Sequence, residues 1–223
     1  MYLGVDEAGK GPVLGPMVAA AVLADPAALP ADVDDSKRIA ASRRESIDAA
    51  VREAATVSVG VAFVDPAEID RPDTDMNTLT VRGQARAVRA ALDDLKDRTD
   101  GLDDQTDDLD EPIRVLADAG DTSEARFARR LGECIADADS SADGSKRPAV
   151  AVSAAHGADA ADPVVGAASV VAKVARDARM AAIDADYPAY DEVGSGYPSD
   201  PATRAFLRAY VDDHGDVPDC ARR

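Results

Sequence analysis

Residues 1–24 read MYLGVDEAGKGPVLGPMVAAAVLA, and this stretch decides the fold because it holds two apolar runs separated by a glycine-rich segment. The first run, residues 1–6, and the second, residues 14–23, have the length and composition of β-strands. Glycines in the segment between them, residues 8–15, permit the tight changes of direction that a hairpin needs. The sequence therefore predicts that the chain opens with a β-hairpin and that Asp6 closes its first strand.

Strand and helix patterns alternate through the rest of the chain. Apolar runs predict strands over 56–64, 113–118 and 149–153, and in the first of these Val57, Val59, Val61 and Phe63 form the more apolar face. Helical spacing and capping residues predict helices that begin near Ser42, Asn77, Asp121 or Thr122, Asp162 and Asp200. The order β-β-α-β-α-β-α-β-α-α predicts an α/β fold with a mixed five-stranded sheet and a helical C-terminal region.

The composition is strongly acidic. The 223 residues include 43 acidic and 25 basic side chains, which gives a formal net charge of -18, and 35 of the acidic residues are Asp. A surface rich in Asp and poor in Lys suits concentrated salt. With 46% hydrophobic residues and 4% aromatic residues, the chain can build a core, mainly from Ala and Val, so a disordered or fibrous protein is excluded.

Neither cysteine use nor hydropathy indicates a secreted or membrane protein. Cys134 and Cys220 lie in unrelated contexts without a CxxC motif, so no disulfide framework or zinc site is predicted. The longest apolar run, residues 17–24, is far shorter than the roughly 20 residues that cross a bilayer. We expect a cytoplasmic protein with no membrane role.

Carboxylates follow three of the predicted strands, at Asp6, Asp118 and Asp159. Function in open α/β sheets gathers at strand ends, and carboxylates gathered there need a divalent cation to offset their repulsion. The hard oxygen ligands point to Mg²⁺ or Mn²⁺. Any single Asp at a strand end is equally explained as a turn or helix-capping residue, and we assign Asp121 and Asp162 to capping for that reason.

Two glycine-flanked segments are weaker signals. Gly9-Lys10-Gly11-Pro12 resembles a phosphate-binding loop but lacks the P-loop spacing, so it is equally a hairpin turn. In Gly194–Pro198 the glycines let Tyr197 project, either to stack on a base or to pack on a loop. His156 precedes Asp159 by three residues and is best read as a loop residue.

Taken together, these segments resemble ribonuclease HII, in particular archaeal, halophilic members of this type 2 ribonuclease H family. Five blocks in the family order carry the resemblance and span nearly the whole chain. They are Gly4 to Pro16 (GVDEAGKGPVLGP), Asp35-Ser36-Lys37, Leu116-Ala117-Asp118, Ala167 to Asp177 (AASVVAKVARD) and Gly194 to Asp200 (GSGYPSD).

The resemblance implies an RNase H-like fold and an endonuclease that acts on RNA/DNA hybrids and on single ribonucleotides embedded in duplex DNA. It implies cleavage on the 5′ side of the ribonucleotide, leaving a 3′-hydroxyl and a 5′-phosphate, with Mg²⁺ or Mn²⁺, two ions per site during catalysis. The implied catalytic and metal-binding residues are Asp6, Glu7, Asp118 and Asp159. The implied substrate-binding residues are Gly9, Lys10, Gly11 and Tyr197, with Lys37, Lys173 and Arg176 as phosphate contacts or solvated charges.

The chain departs from the family pattern at two positions. Lys10 stands where Arg is usual, which removes the planar fork for a bidentate phosphate contact. Gly157 stands where archaeal relatives often have Lys, which removes a positive charge beside Asp159. A DNA-specific RNase H-like nuclease and a non-catalytic nucleic-acid binding module stay open as alternatives.

The expected organisation is a catalytic domain over 1–184 and a helical, substrate-contacting region over 185–223. Acidic insertions are expected near 97–111 and 137–147. We expect a monomer. A sliding clamp is a candidate partner, although the tail 216–223 contains no recognisable clamp-binding motif.

Overall fold

The computed structural model describes residues 1–30, 40–99, 111–137 and 148–223. Most of the two predicted acidic insertions lies outside the described residues, and so does Lys37. The helix before the first of them continues to Thr99, two residues beyond its predicted end. Within the described residues, no helix combines the length and the apolar character needed to span a membrane.

The described residues contain five strands and seven α-helices; the strands and five of the helices follow the predicted order, and the other two helices are short, with four residues each. The strands are β1 Tyr2–Ala8, β2 Met17–Ala24, β3 Ser58–Val64, β4 Ile113–Asp118 and β5 Val150–Ala155. The helices are α1 Ala41–Glu53, α2 Pro66–Ile69, α3 Met76–Thr99, α4 Glu124–Ala136, α5 Ala158–Ala161, α6 Pro163–Ala185 and α7 Pro201–His214. The short helices α2 and α5 have no counterpart in the prediction.

The sheet is mixed, as predicted, with the strand order β3-β2-β1-β4-β5. The predicted hairpin forms the antiparallel pair β1–β2, whereas β1 pairs in parallel with β4 and β4 in parallel with β5. Val5 lies opposite Ala117, so the next residues, Asp6 and Asp118, lie level on neighbouring strands. Asp6 therefore lies within β1, two residues before its end, and not at the last position as predicted.

Helices cover both faces of the sheet. The apolar side chains of α3 and α4 pack on one face around Leu3, Val5 and Phe127. On the other face α1 and α6 pack around Val22, where α6 approaches β1 so closely that a Cβ on Gly4 would lie 2.4 Å from the carbonyl carbon of Val164. This close approach brings the N-terminal half of α6 alongside Asp6.

A third apolar cluster attaches the C-terminal region to the segment after β1. Leu14 packs there with Met180 and Ile183 of α6 and Phe206 of α7. The backbone of Leu14 also forms an antiparallel β-bridge with Ala221. The C-terminal tail therefore lies against the glycine-rich segment that the sequence marks as a candidate loop.

The burial of β3 differs from the sequence prediction. Its deeply buried face carries Ser58, Gly60, Ala62 and Val64, whereas Phe63 is 42% exposed. A Cβ on Gly60 would lie only 2.1 Å from the carbonyl oxygen of Ala87, so α3 passes too close for a large side chain. The small residues therefore face α3, and the prediction of the buried face from the alternation of larger side chains was wrong.

Two of the predicted helix caps are confirmed and two are wrong. Asp162 and Asp200 both accept hydrogen bonds from the first turn of α6 and α7, respectively. The residue before α1 is Ala40, which makes no side-chain cap, and the cap of α4 is Ser123. Asp121 instead accepts hydrogen bonds from the guanidinium of Arg126, so its carboxylate is held by an ion pair.

Candidate active site

Four carboxylates converge where β1 and β4 lie level. Asp6 and Glu7 are on β1, Asp118 ends β4, and Asp159 lies on α5, directly after β5. Gly157, in the left-handed region at φ 68°, turns the chain from β5 into α5, a conformation that glycine adopts without strain. The Asp118 Oδ1 atom accepts a hydrogen bond from the Ala158 amide at 2.8 Å, which fixes α5 beside β4.

Asp6 is buried, with 5% of its surface exposed, and faces α6. Its carboxylate accepts hydrogen bonds from the amide of Glu7 at 2.7 Å and from the hydroxyl of Ser169, which is fully buried. Lys173 in turn donates to Ser169 Oγ at 2.6 Å. The predicted phosphate contact Lys173 is therefore linked to the acidic site through one hydroxyl.

Glu7 points to the opposite face of β1, as expected for consecutive strand residues, and is held by Gln84 of α3. Gln84 Nε2 donates to Glu7 Oε2 at 2.7 Å and to the carbonyl of Asp118 at 3.2 Å. Gln84 is fully buried and its Oε1 atom has no hydrogen-bond partner. The sequence analysis did not identify this residue; the available signal was an amide side chain within the apolar stripe of a long helix.

The electrostatics of the site oppose ionisation of these groups. Burial raises the pKa of Asp6 well above its ordinary value, and the neighbouring charges of Glu7 and Asp118 raise it further. Burial also raises the pKa of Glu7, while the hydrogen bond from Gln84 and the charge of Lys10 act in the opposite direction. A cation among these carboxylates would relieve both the desolvation and the repulsion.

The donor set fits a hard divalent cation, because all four side chains offer carboxylate oxygens. Among the described residues, however, no three His, Cys, Asp or Glu side chains are arranged to hold one ion in their present rotamers. Like charges repel one another, and Asp6, Glu7 and Asp118 are each turned towards a protein donor. Coordination of one ion by three of these groups therefore requires side-chain rotation.

The glycine loop, residues 9–11, borders the acidic site. Gly9 has a φ of 84°, and a Cβ there would lie 2.3 Å from Nε of Arg176, so this position requires glycine. Lys10 Nζ donates to the carbonyl of Gly120 at 2.5 Å, which ties the loop to the segment after β4. A cleft of about 450 Å³ opens beside the loop, and its lining includes Glu7, Gly9, Lys10, Gly11, Lys173, Arg176 and Tyr197.

Tyr197 is brought to the glycine loop by Arg176. The Arg176 side chain is 4% exposed, donates to the carbonyl of Ser195 at 3.1 Å, and lies 5.1 Å from the centre of the Tyr197 ring. The ring itself is 39% exposed. Because the guanidinium lies beneath the ring and against Gly9, Arg176 supports both cleft elements from below.

His156 lies in the turn after β5, as predicted, and hydrogen bonds hold its ring in place. Its Nε2 atom lies 2.7 Å from the carbonyl of Asp121 and its Nδ1 atom 2.9 Å from Glu124 Oε1. These partners, the Asp121 carbonyl first, raise the pKa of the imidazole. His156 therefore ties the end of β5 to the start of α4, beside Asp118 and Asp159.

Comparison with known proteins agrees with this arrangement. The family model for ribonuclease HII matches residues 3–103 and 133–223. Ribonuclease HII of Haloarcula marismortui is 52% identical over 100% of this chain and 90% of its own length, and that of Halobacterium salinarum is 50% identical over 98% and 88%. Ribonuclease HII of Archaeoglobus fulgidus, solved in complex with PCNA, is 30% identical with a TM-score of 0.76 and covers 100% of this chain and 93% of its own.

The second solved structure, ribonuclease H2 of Pyrococcus horikoshii, is 30% identical with a TM-score of 0.73 and covers 99% of this chain and 92% of its own. The fold and these matches define a nuclease of the RNase H class, whose members depend on divalent metal ions. Within that class the chain belongs to the ribonuclease HII family and is a type 2 ribonuclease H.

Proposed function

We propose that this enzyme hydrolyses the RNA of RNA/DNA hybrids and also cuts duplex DNA on the 5′ side of a single embedded ribonucleotide. In this reaction water attacks the phosphorus, and the bond to the 3′-oxygen of the preceding nucleotide breaks. The products are a 3′-hydroxyl and a 5′-phosphate. The observation that carries the proposal is that Glu7 of the acidic site, the glycine loop and Tyr197 line one cleft.

The acidic site supplies the ligands for the metal chemistry. Asp6, Glu7, Asp118 and Asp159 would hold Mg²⁺ or Mn²⁺, and two such ions, when bound, activate water and stabilise the leaving oxygen. The chain's own contribution is orientation. The Ala158 amide fixes Asp118, Gln84 fixes Glu7, and Ser169 connects Asp6 with the positive charge of Lys173.

Selectivity for ribose must depend on the 2′-hydroxyl, since this group alone distinguishes RNA from DNA at one nucleotide. We assign recognition of the hydroxyl to the backbone of the glycine loop and assign Tyr197 to the sugar beside it. In support, the loop cannot accept a side chain at position 9, and Arg176 connects the loop to the tyrosine ring. Lys10 is already bonded to the Gly120 carbonyl, which favours a role in holding the loop.

We assign phosphate contacts to Lys173 and Lys37 and a catalytic role to residues 1–184. Arg176, the third predicted contact, is only 4% exposed, and we assign it to support of the glycine loop and Tyr197. Residues 185–223 carry Tyr197 and form the substrate-contacting helical region in this proposal. The protein acts as a monomer, which a sedimentation measurement can test. The PCNA complex of the Archaeoglobus fulgidus relative supports a sliding clamp as a further partner.

Cleavage of a labelled DNA duplex that carries one ribonucleotide tests the proposed function. The assay is run in molar KCl with Mg²⁺ or Mn²⁺, for the wild type and for Asp118→Asn, beside an all-DNA duplex of the same sequence. We expect one cut 5′ of the ribonucleotide, lost in the variant. Equal cutting of both duplexes would instead indicate a DNA nuclease, and no cutting by folded wild type would indicate a binding module.

A further inference from the structure

Arg222, in the C-terminal tail, lies directly under the glycine loop. Its guanidinium donates to three backbone carbonyls: Nη2 to Gly9 at 2.7 Å, Nη1 to Lys10 at 3.2 Å, and Nε to Gly15 at 2.8 Å. The tail backbone is anchored alongside, because the Arg222 amide donates to the carbonyl of Val13 at 2.9 Å. One side chain therefore holds both ends of the turn that leads from β1 to β2.

The two loop contacts determine which way the loop amides point. In a planar trans peptide the carbonyl oxygen of one residue and the N–H of the next point in opposite directions. The chain has no cis peptide among its described residues. Because the carbonyls of Gly9 and Lys10 point down to Arg222, the amides of Lys10 and Gly11 point away from it, on the side where the cleft lies.

The geometry of the guanidinium suits this task better than another cation would. Arginine presents five N–H donors in a rigid plane, so one group can reach three separate carbonyls. Lysine presents three donors on a single nitrogen and cannot span them. Burial and the nearby charge of Arg176 lower the pKa of Arg222 to about 10, so it stays charged at neutral pH.

We propose that Arg222 is a specificity-determining positioning residue, which fixes two successive peptide planes so that the amides of Lys10 and Gly11 face the ribose 2′-hydroxyl. The inference rests on the proposed function for its substrate, but the orientation of the amides does not depend on cleavage. Arg222 itself touches no reacting group in this account. It acts only through the loop backbone.

The first test measures binding, with Asp118→Asn as the background so that no duplex is cut. Affinities for a duplex with one ribonucleotide and for an all-DNA duplex are compared in molar KCl with Mg²⁺, with and without Arg222→Lys and Arg222→Met. We expect the preference for the ribonucleotide to fall about tenfold or more in both variants, since small misplacements of a binding group are costly. The matched control is Arg223→Met, because Arg223 is exposed and pairs with Asp216.

A second readout requires neither substrate nor activity. The amide resonances of Lys10 and Gly11 in the NMR spectrum should shift in Arg222→Lys and remain in place in Arg223→Met. Melting curves identify any variant that fails to fold, and Arg222→Lys, which keeps the charge, is the variant more apt to fold. Unchanged resonances in folded Arg222→Lys would overturn the proposal whatever the substrate proves to be. If the resonances shift but Asp118→Asn with Arg222 intact shows no preference for the ribonucleotide duplex, the result counts against the proposed function alone.

Discussion

Replacement of Gln84 by leucine should shift the pH dependence of cleavage and lower the stability of the fold only slightly. The substitution removes the hydrogen bond from Nε2 to Glu7, at 2.7 Å, and a hydrogen bond to a charged group is worth about 1.5–3 kcal/mol. It also removes the buried Oε1 atom, which has no partner, and an unsatisfied buried acceptor costs about 1–3 kcal/mol. These two effects on the free energy of unfolding oppose each other, and the bond from Nε2 to the Asp118 carbonyl, at 3.2 Å, is lost as well, so we expect a net loss of about 1 kcal/mol.

The substitution changes the pKa of Glu7 in one direction only. The hydrogen bond from Gln84 stabilises the carboxylate and lowers the pKa of Glu7, against the larger effect of burial. Its loss therefore raises the pKa of Glu7 further. A free energy of 1.36 kcal/mol corresponds to one pKa unit, and solvent partly screens the half-buried carboxylate of Glu7, which reduces the effect of the lost hydrogen bond. The acid limb of the pH–rate profile should therefore move to higher pH by about one unit.

The assay is kcat/KM for the ribonucleotide duplex from acid to neutral pH, at a divalent-ion concentration below saturation. Thr80→Val is the matched control, because Thr80 is also fully buried on α3, one turn earlier, and its hydroxyl donates to the carbonyl of Met76. An acid limb that stays in place in Gln84→Leu, or that moves equally in Thr80→Val, would refute the role assigned to Gln84.

Three further predictions concern the sheet, the acidic site and the cleft. Gly4→Ala should destabilise the fold by about 3 kcal/mol, because the new Cβ meets the backbone of α6 at Val164, whereas Gly11→Ala, which meets nothing within 4 Å, should leave the melting temperature unchanged. Asp6→Asn should abolish cleavage yet raise the melting temperature of the metal-free protein at neutral pH. As pH rises, Asp6 ionises in the unfolded state before it ionises in the folded state, so the stability of the wild type falls between these two pKa values. The gain in melting temperature of Asp6→Asn should therefore vanish below about pH 4, where Asp6 is protonated in both states. An equal gain at all pH values would contradict this account. Tyr197→Phe should retain cleavage, since the ring over Arg176 is kept, whereas Tyr197→Ala should weaken binding of the ribonucleotide duplex by about 1–3 kcal/mol in a titration; equal losses in both variants would point to the hydroxyl instead.

The features of the fold that the sequence predicts correctly depend on residues close together in the chain. The hairpin follows from two apolar runs around a glycine-rich segment, and the starts of α6 and α7 follow from an Asp-Pro pair at each helix. The buried face of β3 depends instead on how closely α3 approaches Gly60. Alternation within one strand carries no information about the distance to a helix that packs on it, so the prediction of that face was wrong.

The candidate site divides in the same way. The four carboxylates can be found from the sequence because Asp6, Asp118 and Asp159 lie at or just after predicted strands and Glu7 follows Asp6 in the first family block, although their roles stay a prediction. The residues that orient the site carry no such local signal. Gln84 is one polar side chain among the core positions of α3, and Arg222 reaches Gly9 across 213 residues of sequence. Only the packing of distant segments identifies them.

The net charge of -18 opposes binding of a polyanionic substrate in dilute buffer, but exposed and buried charges respond differently to salt. In about 1 M salt the Debye length is roughly 3 Å, so exposed Asp side chains scarcely act on a duplex, whereas buried charges are screened much less. Arg176 is buried and Arg222 is half-buried beneath the glycine loop, and both donate hydrogen bonds to backbone carbonyls. Carbonyl acceptors do not cancel a full positive charge, so these guanidinium groups, with Lys10 and Lys173 at the cleft, offset the carboxylate of Glu7 there in salt that hides the acidic surface. Salt should therefore strengthen binding of the ribonucleotide duplex up to the point where the screening of exposed Asp is complete.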